Sequence, residues 1–168
     1  MRKSLDFLYD GAAALAAFFM IALLAMVLLS IVGRQLDFNI PGIDAYAGYM
    51  MAASGFLALA HTLKRGEHIR VTLVLSSLGP RTRRWLERWA MGAGALLAVL
   101  FAFYGARLAW QSHEFHDIST SNDATPLWLP QLSMALGALV FAVCAVDEFF
   151  IEWNGRPQRA EAEALRHE

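Results

Sequence analysis

The strongest constraint on the fold is four long apolar stretches that together take up about half of the 168 residues. They lie at residues 12–32, 43–63, 89–110 and 127–148. Each reaches the roughly 20 residues that an α-helix needs to cross the hydrocarbon core of a bilayer. Helices are required because lipid cannot satisfy unpaired backbone groups, and the alternating pattern of barrel strands is absent. We therefore expect an all-α integral membrane protein with one four-helix domain.

Composition excludes several classes of function. The net charge of −1 leaves no basic excess for binding a nucleic acid backbone. The single cysteine, Cys144, lies in the fourth apolar stretch, so neither a disulfide framework nor a thiolate metal site is expected. Zinc-protease, nucleophile-elbow and phosphate-loop motifs do not occur in the sequence. The sequence therefore predicts neither an enzyme nor a bound cofactor, except that a bound phospholipid is compatible with it.

Basic residues predict the orientation in the membrane. The N-terminus, the connection at residues 64–88 and the tail at 149–168 hold twelve of the 14 Lys and Arg residues. Short connections rich in Lys and Arg remain on the cytoplasmic side. Both termini are therefore expected in the cytoplasm, and the connections at 33–42 and 111–126 are expected to face outward.

The long basic connection has an internal pattern of its own. Val71, Val74, Leu75 and Leu78 share one helical face, which predicts an interfacial amphipathic helix at about residues 69–79. Cationic and aromatic residues beside it and at the start of the third span are candidate lipid anchors: Arg70, Arg81, Arg83, Arg84, Trp85, Arg88 and Trp89. They are interpreted either as a solvated collar or as a defined site for an anionic lipid headgroup.

Small residues recur at helical spacing in two of the spans. The candidate packing positions are Gly48, Ala52 and Gly55 in the second span and Ala98, Ala102 and Gly105 in the third. Small side chains allow helix backbones to approach closely in lipid. Each stripe is expected to contact either another helix of this chain or a separate protein, and leucine at Gly48 or Gly55 would overfill such a contact.

Three charged residues lie near the outer ends of the spans. Asp44 opens the second span, Arg34 ends the first, and Arg107 lies about two turns from the outer end of the third. Because charges at membrane depth are costly, we expect Asp44 to pair with Arg34 or Arg107. Contact with a partner protein is the alternative, and substrate contact is a third. Asp147 and Glu148, at the cytoplasmic end of the fourth span, are interpreted as solvated charges.

The middle of the predicted bundle offers little for a polar cargo. Leu24, Ser54, Leu100 and Gly137 mark the centres of the four spans, whereas carriers place polar groups at this depth. This favours a protein that serves another membrane protein. A membrane anchor for a redox enzyme and a stand-alone small carrier are the alternatives. A haem between two histidines is disfavoured because His61 and His113 belong to opposite faces.

Two motifs resemble one transporter family. An arginine and an aromatic-Asn element close the first span at Arg34, Phe38 and Asn39. After the second span comes a Gly-x-His-Ile-x-Val element, at Gly66, His68, Ile69 and Val71. These elements resemble the small membrane subunit of the tripartite ATP-independent periplasmic (TRAP) transporters. Where that family usually has Trp-x-Glu-Glu, this chain has Gly42-Ile43-Asp44-Ala45, with one carboxylate.

The resemblance implies a non-catalytic subunit of the bacterial inner membrane. Its partners would be a large membrane subunit that binds sodium and solute, and a periplasmic protein that delivers the solute, expected to be an organic acid. The small subunit would brace the static part of the large one. Outer residues that could contact the binding protein are Asp37, His113, Glu114, His116, Asp117 and Asp123, with a solvated loop as the alternative.

Overall fold

The computed structural model describes residues 2–38, 40–65 and 79–153. Within these ranges the chain forms four helices: α1 (Arg2–Gln35), α2 (Ile43–Lys64), α3 (Pro80–Glu114) and α4 (Trp128–Trp153). All four are long and apolar enough to cross a membrane. An all-α membrane protein with four transmembrane helices is therefore confirmed.

Two helices begin well before their apolar stretches. α1 starts ten residues before residue 12, and α3 starts at Pro80 rather than near residue 89. Pro80 suits the first turn of a helix because an amide there would have no helical partner. Hydropathy marks only the lipid-buried part of each helix, so the charged first turns lie outside the apolar stretches. Of the predicted interfacial helix, all but Gly79 lies outside the described residues, as does the tail from 154.

The helices pack side by side in the order α1, α2, α4, α3. Each helix has its extensive contacts with its neighbours in this row, and α1 touches α4 only slightly. Along the helix axes the bundle has two ends. One of them, here called the terminal end, holds the start of α1, the end of α2, the start of α3 and the end of α4. The opposite end, called the loop end, holds the connections at residues 36–42 and 115–127.

Small residues form most of the contact between α3 and α4. Ala95, Ala98 and Ala102 of α3 are buried against Ala138, Ala142 and Ala145 of α4. Two further clusters join α1, α2 and α4, one around Tyr9, Ala60 and Cys144 and the other around Ala12, Ala16 and Leu57. Because lipid is as apolar as leucine, close backbone packing rather than hydrophobic burial stabilises such contacts.

The two predicted stripes of small residues have different locations. In α3, Ala98, Ala102 and Gly105 are buried, and an added Cβ at Gly105 would lie 3.7 Å from Ala135 of α4. In α2, Gly48 and Gly55 are exposed with open space beside them, and Ala52 is half-buried. The interpretation of Gly48 and Gly55 as a contact within the chain is therefore wrong. The face of α2 that packs inside the bundle carries Ala53, Leu57 and Ala60 instead.

Candidate functional site

The buried middle of the described bundle holds few polar side chains. Ser54, Ser112 and Ser119 are the buried polar residues in the described ranges. The Ser54 hydroxyl donates a hydrogen bond to the Met51 carbonyl oxygen of its own helix at 2.9 Å. No group of three or more His, Cys, Asp or Glu residues in these ranges could hold a metal ion. The polar and charged contacts between helices therefore lie mainly at the loop end and the terminal end of the bundle.

At the loop end, an ion pair joins α1 to α2. Arg34 in the last turn of α1 places Nη2 3.9 Å from Oδ1 of Asp44, in the first turn of α2. The Ser30 hydroxyl donates a hydrogen bond to the same oxygen at 3.3 Å. The carboxylate also lies favourably at the positive end of α2. The two charged side chains are 76% and 81% exposed, so in water the pair would add little stability.

Arg107 does not join this pair. It lies exposed on α3, and no ion pair connects it to another residue of the described ranges. The predicted alternative of an Asp44–Arg107 pair is wrong because α3 and α2 are separated by α4 in the row. Arg107 therefore points away from the bundle, at a level of α3 that lies within a predicted span.

The connection between α3 and α4 folds back on itself. The Asp117 amide donates to the Ser112 carbonyl at 3.0 Å, and the Leu127 amide donates to the Asp117 carbonyl at 2.9 Å. Ile118 and Pro126 form an antiparallel bridge between the two arms of the loop. These backbone hydrogen bonds make residues 115–127 a closed turn.

Four side chains attach this turn to α2. The Tyr49 hydroxyl donates a hydrogen bond to Oδ2 of Asp123 at 3.1 Å, and the Thr125 hydroxyl donates one to Tyr46 Oη at 3.1 Å. The rings of Tyr46 and Tyr49 meet edge to face, with centroids 6.0 Å apart. We call Tyr46, Tyr49, Asp123 and Thr125 the loop clamp, because they join residues more than 70 positions apart in sequence.

At the terminal end, a charged network joins α1 to α2. Lys64, with only 15% of its side chain exposed, places Nζ 3.1 Å from Asp6 Oδ1 and 3.7 Å from Asp10 Oδ1. Nδ1 of His61 lies 3.6 Å from the same Asp10 oxygen. The Lys64 ammonium also lies 5.5 Å from the ring centroid of Tyr9, close enough for a cation–π contact.

Two carboxyl groups of α4 border this network. Asp147 and Glu148 line a crevice with Asp6, Tyr9 and Lys64. Both α4 residues are half-buried, so water reaches only part of each side chain. The crevice has a volume of about 10 Å³, which is close to the space that one water molecule needs.

The predicted lipid anchors lie at the same end. Arg83 Nε is 2.8 Å from Glu87 Oε1, an ion pair one turn along α3. Trp85 and Trp89 are 65% and 63% exposed, and the Arg88 guanidinium lies 5.5 Å from the ring centroid of Trp153 in α4. Arg81 and Arg84 are exposed, whereas Arg70 lies outside the described residues.

A family comparison identifies the kind of protein. A sequence model described as "Tripartite ATP-independent periplasmic transporters, DctQ component" matches residues 23–155, which include parts of all four helices. The chain belongs to this family. A DctQ component is part of a transporter, so the expectation that the chain is not an enzyme is confirmed. Its four spans and its family make it a multi-pass protein of the inner membrane.

One curated relative is similar to part of this DctQ-family chain. It is the C4-dicarboxylate TRAP transporter small permease protein DctQ of Rhodobacter capsulatus, 31% identical over 80 residues. The matched region covers 47% of this chain and 34% of the relative. This chain therefore spans about a third of that relative's length in the comparison.

The loop end of the DctQ-family chain separates the predicted partner contacts into two groups. Asp37, His113, Glu114, His116 and Asp117 are exposed, with the His113 ring packed edge to face on Trp128 at 5.3 Å. Asp123 is half-buried and turned towards α2 through its bond to Tyr49. Asp123 therefore holds the loop in place, and the exposed residues form the accessible surface.

Sequence reasoning missed two groups of residues in this DctQ-family chain. Tyr46 and Tyr49 were overlooked, although two tyrosines on one face in the first two turns of a span are typical of the membrane interface. Asp6 and Asp10 were overlooked because the first span was expected to begin at residue 12. Asp6 and Asp10 are four residues apart, and His61 and Lys64 are three apart. Either spacing places the two side chains on one helix face, so the two faces can meet.

Acid is expected to release the loop clamp of this DctQ-family chain. The polar hydroxyl groups beside the carboxylate, first that of Thr125 and then those of Ser119 and Tyr49, lower the pKa of Asp123 from 3.8 to about 2. The ionised carboxylate therefore stabilises the folded loop above about pH 4, and this contribution is lost as the pH falls from about 4 towards 2. Asp123→Asn should lower the melting temperature at neutral pH and flatten its decline on acidification.

The matched control is Asp37→Asn, which removes an exposed acid at the same end without touching the clamp. Thermal unfolding of the purified protein, followed between about pH 6 and pH 3, measures both variants against the wild type. Parallel melting curves for Asp123→Asn and Asp37→Asn at every pH would contradict the assigned role of Asp123.

Proposed function

We propose that this chain is the non-catalytic small subunit of a TRAP-type secondary transporter and braces a large subunit that translocates ion and solute. The match of residues 23–155 to the DctQ component carries the proposal. The buried middle supports it, because Ser54 bonds to its own helix and the neighbouring packed residues are mainly alanines. A carrier would need polar groups and broken helices at that depth.

The row of helices suits a brace. α1 and α3 are the outer members, and both expose large apolar side chains along their lengths, such as Ile21 and Leu24 in α1 and Leu97 and Phe103 in α3. Close contacts between small residues hold α3 on α4. A partner that moves solute across the membrane could pack on these exposed apolar faces of α1 or α3.

The finer proposal is sodium-driven uptake of an organic acid delivered by a periplasmic binding protein. The family description supports the uptake system, and the relative's name, which mentions C4-dicarboxylates, supports the solute class for that relative. With both termini in the cytoplasm, the exposed acids at the loop end would face the binding protein. Asp37, Glu114 and Asp117 would then favour a basic patch on that protein.

Co-purification and transport would test this function. When this chain carries a purification tag and is co-expressed with a large TRAP membrane subunit, the tag should isolate a stable complex. In liposomes, that complex should take up a dicarboxylate only with the binding protein and an inward sodium gradient. The matched control is this chain alone, which should give no flux. Solute movement by the lone chain would overturn the proposal. Haem absorbance in the purified protein would also overturn it and would support a membrane anchor for a redox enzyme.

Arg107 is expected to contact an acidic group of the large subunit. It is exposed on a spanning helix and has no ion-pair partner in the described ranges, and an unpaired cation at membrane depth is costly. Arg107→Ala should weaken the complex roughly tenfold or more, because truncation leaves a desolvated acid unpaired. Arg107→Lys keeps the charge and should retain much of the affinity. Equal, wild-type yields of complex from the two variants would defeat this expectation.

A further inference from the structure

The terminal end of the bundle contains a groove between α3 and α4. Its volume is about 540 Å³, far larger than the crevice beside Lys64. Trp85, Trp89 and Leu96 form one wall, and Phe149 and Trp153 form the other. The walls are therefore almost entirely aromatic or aliphatic, and the groove runs from the end of the bundle towards its apolar middle.

Helical spacing explains why α3 contributes a continuous wall. Trp85, Trp89, Gly92 and Leu96 follow one another at intervals of four, three and four residues, which places them on one face. Gly92 leaves the space in which α4 approaches, since a Cβ there would lie 3.2 Å from Cε2 of Phe149. Gly92 thus allows Phe149 of α4 to pack directly on α3 between Trp89 and Leu96, which brings the two walls of the groove together.

Positive charge is confined to one end of the groove. The Arg88 guanidinium lines the groove and is held 5.5 Å from the Trp153 ring centroid. Arg81 lies two turns earlier on the same face of α3, about 10 Å nearer the start of the helix. Beyond Arg88, towards Leu96, the lining residues are uncharged. Along α3, Arg81 and Arg88, with Trp85 between them, therefore come first, and the uncharged lining residues from Trp89 to Leu96 follow.

We propose that this groove binds one anionic phospholipid, with its phosphate at Arg88 and an acyl chain along the wall from Trp89 to Leu96. Charge complementarity identifies the occupant, because an amphiphile with a negative head and an apolar tail matches both parts of the groove in the observed order. A free phosphate would leave the aromatic walls uncovered. A net-neutral phospholipid such as phosphatidylcholine carries the same phosphate, but its headgroup cation would lie near the guanidinium and offset the attraction, so a lipid with net negative charge is favoured near the surface.

Tryptophan quenching by brominated lipid would test the site in the full-length protein. Three of the five tryptophans, Trp85, Trp89 and Trp153, line the groove. The protein is reconstituted in phosphatidylcholine nanodiscs that contain increasing fractions of brominated phosphatidylglycerol or, in a parallel series, brominated phosphatidylcholine. The phosphatidylglycerol should reach half-maximal quenching at a roughly fivefold lower fraction than the phosphatidylcholine.

Two variants and a matched control separate this site from general attraction to the surface. Arg88→Gln should abolish the preference for phosphatidylglycerol. Ala93→Leu, which fills the groove without changing charge, should weaken quenching by both lipids. Arg83→Gln removes the same charge from the same turns of α3, but Arg83 pairs with Glu87 and does not line the groove, so the preference should persist.

Three results would overturn the proposal. The first is equal quenching of the wild type by the two lipids, and the second is an equal loss of preference in Arg88→Gln and Arg83→Gln. The third is relief of quenching by millimolar inorganic phosphate, which would indicate a phosphate site rather than a lipid site. Circular dichroism and the elution profile of each variant establish that it is folded, and Ala93→Leu keeps the test decisive if Arg88→Gln does not fold.

Discussion

Gly137→Ala should separate α2 from α4 and destabilise the whole bundle. A Cβ at this position would lie 2.6 Å from the Phe56 carbonyl carbon, 2.7 Å from its oxygen and 2.8 Å from the Leu57 nitrogen. All three are backbone atoms, so no side-chain rotation can relieve the overlap and one helix must move. Overfilling of a packed contact typically costs about 1–3 kcal/mol, and we expect the upper part of that range here.

The displacement would reach other contacts of the same pair of helices. Cys144 Sγ donates a hydrogen bond to the Ala60 carbonyl oxygen at 3.4 Å, two turns from Gly137 along α4. Ala60 and Cys144 belong to the cluster that also buries Tyr9 of α1. Because α4 connects α3 to the other two helices, loss of the α2–α4 contact should divide the row into two pairs. Thermal unfolding in detergent would measure the effect.

The matched controls are Gly48→Ala and Gly55→Ala. Both glycines lie on α2, the partner helix of Gly137, and an added Cβ at either meets nothing within 4 Å. Because alanine is the better helix former by about 1 kcal/mol, these variants should melt at or above the wild-type temperature when the chain is isolated. A Gly137→Ala variant that melts together with these two controls would show that the close approach of α2 and α4 is not as described.

Gly42→Ala should produce the second large effect, at the loop end. Gly42 precedes α2 with φ of 79°, a left-handed conformation that costs a residue with a side chain roughly 1–2 kcal/mol. An added Cβ would also lie 2.5 Å from Cβ and 2.9 Å from Cα of Asp123. The two penalties act together, since relieving the steric overlap requires the turn at 115–127 to leave α2.

Hydrogen exchange can detect that departure directly. The Leu127 amide, which donates to the Asp117 carbonyl within the turn, should exchange faster in Gly42→Ala, and the melting temperature should fall. The matched control is Gly79→Ala, because Gly79 also precedes a helix but has φ of −61° and open space at its Cβ position. Comparable exchange and melting in the two variants would contradict the importance of the Gly42–Asp123 contact.

Hydropathy alone predicted the number, type and approximate limits of the membrane helices. Hydropathy is a property of a segment, and a span of about 20 apolar residues leaves the helix as the available structure in lipid. The Arg34–Asp44 pair was also predictable, because a span end and the next span start are joined by a short connection and must lie close together. The motifs around Arg34 and Gly66 likewise pointed to the family that the comparison confirmed.

The face that each helix presents to its neighbours became visible in the folded bundle and not in the local sequence pattern. Small-residue stripes looked alike in α2 and α3, yet Ala98 is buried within the chain whereas Gly48 is exposed, because the rotation of each helix depends on all its contacts at once. Gly137 and Gly42 matter through backbone atoms distant in sequence, which no local pattern records. Asp123 and Lys64 reach their partners because the helices pack in the order α1, α2, α4, α3. Close packing between helices sets this order, since lipid provides no hydrophobic driving force between them.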